Sequence, residues 1–188
     1  MDIKQLLIRY AAGERDFRGI VLAEADLKGA YLSGADLSRA NLQGANLTKA
    51  SLSSTNLSEA NLSGANLDNA NLFETILSGA NLDQATLRKA NLTEADLSGA
   101  SLQGADLRDA NLHQTALSEA NLQGANLCDA NLCGAKMWKA NLHGADLCGV
   151  DLCEANLCEA DLRETKLDSA DFSEAFLTGT VLPDDIIH

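Results

Sequence analysis

Aromatic side chains make up only 4% of this chain, and proline occurs once in 188 residues. Rings supply much of the bulk of an ordinary mixed core, so such a core is excluded. The hydrophobic content of 46% is almost all Ala and Leu, and the core expected from it is thin and uniform. Basic residues are also scarce, with 14 Lys and Arg against 27 Asp and Glu and a formal charge of −13. Contact with a phosphate backbone needs clustered cations, so direct nucleic-acid binding is not expected. A basic partner, or mimicry of an anionic polymer, is compatible with the charge. The N-terminus has no unbroken apolar run and carries Lys4 and Arg9; neither a signal peptide nor a membrane span is expected, and the expected address is the cytoplasm. Five cysteines, an odd number outside a secretory context, read as reduced thiols.

What the sequence does contain is one unit repeated. Ala35 to Leu67 reads ADLSR ANLQG ANLTK ASLSS TNLSE ANLSG ANL. With the central apolar residue as i, the frame runs from Phe17 in steps of five to Leu182 without insertion or deletion, which makes 34 units. Phe17, Met137 and Phe172 fill three of these positions and Leu the other 31. Position i−2 is Ala in 26 units, i−1 is mostly Asn or Asp, i+1 is variable and polar, and i+2 holds 13 of the 14 glycines. A period of five suits neither regular element. On an α-helix successive Leu residues step round by a net of about 140°, leaving no apolar face. On a flat strand an odd period sends alternate Leu residues to opposite sides. The conflict disappears if i−2 and i point inward, i−1 points outward between them, and i+1 and i+2 form a corner. Glycine at i+2 suits backbone angles that a Cβ would penalise. The chain therefore winds, with one corner per repeat.

The tandem A-[D/N]-L-x-x pattern, covering residues 15–184, resembles the pentapeptide-repeat family. The opening Arg9-Tyr10-Ala11-Ala12-Gly13-Glu14-Arg15-Asp16-Phe17 and the closing Leu182-Pro183-Asp184-Asp185 resemble members common in cyanobacteria. The resemblance implies an all-β solenoid, a right-handed quadrilateral parallel β-helix with four pentapeptides per coil. Thirty-four units then give about eight and a half coils and, at ~4.8 Å per stacked strand, a rod of about 40 Å. Residues n and n+20 become vertical neighbours, and Asn columns such as Asn71, Asn91, Asn111 and Asn131 are expected to form hydrogen-bonded ladders. Residues 1–14 are assigned to an N-terminal capping helix and connector, because Ile3, Leu6, Leu7, Tyr10 and Ala11 form one helical stripe before Gly13. Residues 15–184 are assigned to the β-helix and 185–188 to a C-terminal tail. The bulk at Phe172, Phe176, Val181, Leu182, Ile186 and Ile187, with Pro183, reads as a cap or a dimer contact, leaving a monomer or a C-terminal-end dimer as alternatives.

A filled rod without insertions offers no concavity in which polar groups converge, and no phosphate-binding glycine motif is present. No catalytic residue and no cofactor is expected. Cys128, Cys133, Cys148, Cys153 and Cys158 all fall at i+1, stacking Cys128 on Cys148 and Cys133 on Cys153. The column His113, Cys133, Cys153 offers metal-ligand residue types, though in a line. The stronger expectation is protein binding where the consensus fails outward, with Phe73, Ile76, Lys136, Trp138 and Lys139 as contact candidates. Residues 141–188 carry 11 Asp and Glu against Arg163 and Lys166, so one end of the rod is acidic. The reading favoured is a non-enzymatic scaffold for an unidentified protein partner, regulatory as in some cyanobacterial relatives. The resemblance also implies an alternative, a DNA mimic that binds a type II topoisomerase and protects gyrase, and the cysteines a third, a thiol or metal-binding module.

Position i carries the stability. Leu97→Ala is expected to cost ~2–5 kcal/mol, seen as a lowered midpoint in chemical denaturation; an unchanged midpoint would mean that position i does not face inward.

Overall fold

The computed structural model describes residues 2–184, so the tail at 185–188, with Ile186 and Ile187, lies outside the described residues. Every i−1 residue from Asp16 to Asp161 forms a parallel bridge with the residue twenty positions on, from Asp16 with Asp36 to Asp161 with Val181. Each strand is so short that pairing takes the form of isolated parallel bridges rather than a continuous ladder. Twenty residues close one coil, which makes the rod a four-sided parallel β-helix, right-handed as the family resemblance implies. We number the faces by their outward i−1 residues. Face I runs through Asp16, Asp36, Asn56 and Ile76, face II through Val21, Asn41 and Asn61, face III through Asp26, Asn46 and Asn66, and face IV through Tyr31, Ser51 and Asn71.

The corners explain the period of five. In unit after unit the i carbonyl accepts from the N–H three residues on, as from Ala25 to Leu22 at 3.1 Å. The residue at i+2 has positive φ in every unit from Gly19 to Gly179, thirteen glycines and twenty other residues. Positive φ at the third residue is what a type II turn requires. Glycine fits it without penalty, as at Gly99 (φ 64), while Glu94 holds the same conformation at φ 59.

Where i−1 is Asn or Asp and a coil lies on either side, all five backbone N–H groups of a unit find acceptors. In the unit Ala125–Asp129, Ala125 donates to Leu122 O across the turn, Asn126 to Ala105 O in the previous coil, and Leu127 and Asp129 to Asp146 O and Cys148 O in the next. The fifth, from Cys128 at i+1, goes to Asn126 Oδ1 at 3.0 Å. This last bond recurs along the rod, for example from Ser38 to Asp36 and from His113 to Asn111. It is the reason Asn and Asp dominate i−1, since only a short side chain ending in an acceptor oxygen reaches the N–H two residues on. The expected Asn ladders are a lesser feature. Asn91 donates to Asn71 and Asn141 to Asn121, but the first does not continue through Asn111 and Asn131. Where Thr86 and Ser101 occupy i−1, the acceptor comes from the coil below instead: Asp68 Oδ1 takes the Arg88 N–H and Asp83 Oδ1 the Gln103 N–H.

Inside, Leu at i and Ala at i−2 are buried almost without exception through Leu162. Thr55, Thr75 and Thr115 replace Ala at no polar cost, because each hydroxyl donates to a Leu carbonyl one coil below, at 2.8–3.1 Å. Helix α1 (Ile3–Ala11) is capped by Asp2, whose carboxylate accepts from Gln5 N. It lays Leu6, Ile3 and Tyr10 on the first coil, and the Tyr10 hydroxyl donates to Ser33 O at 2.8 Å. Leu7, placed on the same stripe by the sequence, is exposed. At the far end the bulky residues divide. Phe172 and Leu182 are inward i residues packed on the core, whereas Phe176 and Val181 are exposed i−1 residues on the sides of the rod.

Asn131 accepts from the Cys133 N–H at 2.9 Å. Asn131→Ala is expected to lower stability by about 1 kcal/mol and to speed hydrogen exchange at the Cys133 amide, with amides two coils away unaffected.

Candidate functional site

Since the fold asks for Asn or Asp at i−1, positions that refuse it stand out. On face I four of them do, Ile76, Ala116, Lys136 and Phe176. Asp96 and Lys136 stand one coil to either side of Ala116, whose small side chain leaves a shallow depression between a carboxylate and an amine. Lys136 leads directly into the corner that bears Trp138. The Lys139 ammonium lies 4.3 Å from the centre of the Trp138 ring, a cation–π contact. Glu159, one coil on, receives the indole N–H at 3.4 Å and sits 3.5 Å from Lys139 Nζ. Trp138 is thus held in a fixed pose while part of its ring stays open to solvent.

The structure therefore brings Lys136, Trp138 and Lys139 together. Ile76 is exposed on the same face but three coils away, by way of Asp96 and Ala116, and Phe73 lies half-buried at the corner before it. Phe176, 60% exposed and two coils beyond Lys136 on face I, belongs to this surface as well. The sequence groups Phe176 with the end-of-rod bulk, while its i−1 register is the signal that it points outward.

The cysteines group differently from the column His113, Cys133, Cys153. In that column the outer members are two coils apart, ~9.6 Å, so the three do not ring a common point. Cys153 faces Cys133, and burial first, then the neighbouring Cys133, raises its thiol to about 11. The group that does converge is Cys128, Asp146 and Cys148, whose ligand atoms lie within 4.8 Å of one another. Column stacking alone pairs the two cysteines; Asp146 joins them because an i−1 carboxylate leans toward its own corner, where its Oδ1 accepts from the Cys148 N–H. Hydrogen bonding to that carboxylate, followed by burial, pushes the Cys148 thiol up to about 12.

Charge is segregated around the rod as well as along it. The corner between faces IV and I carries Glu74, Glu94, Glu154 and Glu174 with no cation, while the corner between faces III and IV sets Lys28, Lys49, Arg88, Lys89 and Arg108 against Asp68, Asp109, Asp129 and Asp168. One edge is strongly anionic and its neighbour slightly cationic. At the cationic edge burial pushes the Asp68 carboxyl up, but hydrogen bonds from the Arg88 guanidinium and backbone N–H outweigh it and hold the carboxyl below its usual range.

The family model "Pentapeptide repeats" matches in eight copies, over residues 16–53, 35–72, 50–88, 75–114, 110–149 and 148–182. Among solved structures, HetL, a pentapeptide repeat protein involved in heterocyst differentiation regulation from the cyanobacterium Nostoc sp. strain PCC 7120, is 36% identical over 100% of both chains, with a TM-score of 0.56. A trypsin-treated variant of QnrB1, a plasmid-mediated fluoroquinolone resistance protein, is 20% identical over 91% of this chain and 83% of that one, with a TM-score of 0.70, a likeness of fold alone. No curated protein matches.

Because the folded-state pKa of Asp68 lies below its unfolded value of ~3.9, its pairing stabilises the fold above that value and the gain is lost as pH falls through the folded pKa. In Arg88→Ala burial acts without the guanidinium, the carboxyl shifts upward, and the charged form becomes destabilising. The denaturation midpoints of variant and native protein should differ most at neutral pH and converge on acidification.

Proposed function

The chain belongs to the pentapeptide-repeat family, and from that membership we propose that it is a non-enzymatic scaffold that presents face I and the Trp138 corner to a protein partner. The observation that carries the reading is the break in the i−1 rule. Eleven i−1 positions from Asp16 to Val181 lack Asn and Asp, and face I holds four of them, Ile76, Ala116, Lys136 and Phe176, more than any other face, which supports a role for that face beyond the coil. Trp138 beside Lys136 and Lys139 has the composition of an interface anchor, a large ring with fixed cations. The surfaces are flat or shallowly notched and the interior is filled with Leu and Ala, which suits a contact surface better than a catalytic cleft. Among the described residues no helix is long and apolar enough to cross a membrane; a cytoplasmic address is part of the proposal, supported by the odd number of cysteines, which suits a reducing compartment. The full-length likeness to HetL supports a regulatory setting.

A second reading is the anionic mimic of DNA acting on a type II topoisomerase. The net charge favours it, and the cationic corner from Lys28 to Arg108 counts against it, because a duplex presents phosphate charge on every side.

Trp138→Ala and Lys136→Glu, each leaving the coil register intact, are expected to abolish chemical cross-linking of the full-length protein to its partner. Capture undiminished in both variants overturns the assignment of face I. Inhibition of gyrase supercoiling by the native protein, unaffected by these substitutions, would transfer the function to the mimic reading.

A further inference from the structure

The corner between faces III and IV carries Cys128 directly below Cys148, and face III sets Asp146 beside both. The Cys128 thiol donates to Asp146 Oδ1 at 3.1 Å, while the Cys148 thiol donates to Asp168 Oδ2 at 3.7 Å and its sulfur stays within 4.8 Å of both Cys128 Sγ and the Asp146 carboxylate. Two thiols and a carboxylate thus share one corner, with a second carboxylate beside them. The backbone fixes this arrangement, since the Cys128 and Cys148 N–H groups are tied to Asn126 and Asp146 and Asp129 N donates to Cys148 O. The other oxygen of Asp146 accepts from Lys166 Nζ at 2.9 Å.

We propose that Cys128, Cys148 and Asp146 form a three-ligand site for a thiophilic divalent cation of the zinc class. Zinc binds thiolate sulfur at ~2.3 Å and carboxylate oxygen at ~2.0–2.2 Å, so tetrahedral ligand atoms stand roughly 3.5–3.8 Å apart. The three atoms already lie within 4.8 Å of one another, so small side-chain rotations bring them to that spacing with the coils unmoved. Binding exchanges protons for metal. Each S–H bond breaks as a metal–sulfur bond forms, two protons leave to solvent, and no electron moves. The ion and three anionic ligands leave one negative charge, which the Lys166 ammonium on the outer oxygen of Asp146 balances. The half-buried corner leaves the fourth position to water or to the carboxylate of Asp168, whose Oδ2 lies 3.7 Å from Cys148 Sγ. The sequence repeats the same triple five residues on, as Cys133, Asp151 and Cys153, but there no carboxylate joins the thiols.

Titration of the reduced full-length protein with cobalt(II) tests the site, because thiolate ligation of cobalt produces a charge-transfer absorption. The expected result is saturation at one equivalent of cobalt, and release of two protons per ion when zinc is added to the metal-free protein. The band should be lost in Cys128→Ser and in Cys148→Ser and weakened in Asp146→Asn, and it should persist in Cys133→Ser combined with Cys153→Ser. Asn at position 146 keeps the acceptor for the corner N–H, as Asn126 does, and far-ultraviolet dichroism verifies that each variant is folded. Absence of the band in native protein, or its survival in a folded Cys128→Ser or Cys148→Ser variant, overturns the proposal.

Discussion

The corner residue at i+2 holds positive φ in every unit from Gly19 to Gly179, and the rest of the architecture follows from that one backbone state. It turns the chain between faces, so that two side chains per unit point inward and four units return the chain to its starting side. The in-register bridges, the stacked core and the vertical columns are consequences of that closure. A side chain in this conformation costs ~1–2 kcal/mol, and twenty units bear it without glycine. Such repeated strain persists only because neighbouring coils fix each corner from both sides, through the i+2 N–H above and the packed Leu behind. The same logic makes the units interdependent, since no coil buries its Leu residues alone.

Most of this was legible in the sequence. The period of five, incompatible with both helix and flat strand, forces a corner, and the inward assignment of i and i−2 agrees with burial along the rod. The four-sided closure came from family resemblance and not from residue patterns, because a corner per unit does not by itself say how many corners make a turn. What the sequence obscured was the work done by i−1. Asn and Asp there suggested ladders between coils, whereas their main bond stays within the unit, to the N–H two residues on. That contact is invisible to column stacking because it runs along the chain.

The same along-chain contact governs the functional geography. Once i−1 is understood as a structural acceptor, Ile76, Ala116, Lys136 and Phe176 become departures with a definite cost, and their face holds more such departures than any other. Asp146 likewise reaches its corner cysteines for the reason that any i−1 carboxylate reaches its corner N–H. The segregated charges add a direction to the surface. A partner approaching the rod meets an anionic edge at Glu74, Glu94, Glu154 and Glu174 and a slightly cationic edge one face earlier, so long-range forces orient it before contact.

The twenty-residue register also acts as a frame in which this surface can vary. Removing or adding one unit of five would leave every inward Leu inward, yet carry all the chain beyond it round by a quarter turn, so that Trp138 and the residues on its face would be offered on a different side from Ile76. Removing or adding four units would change the length of the rod and leave each face aligned. Relatives that differ in length by multiples of five are thus free to keep one core while pointing the same residues in four directions, a form of variation that folds with a single closed core do not have.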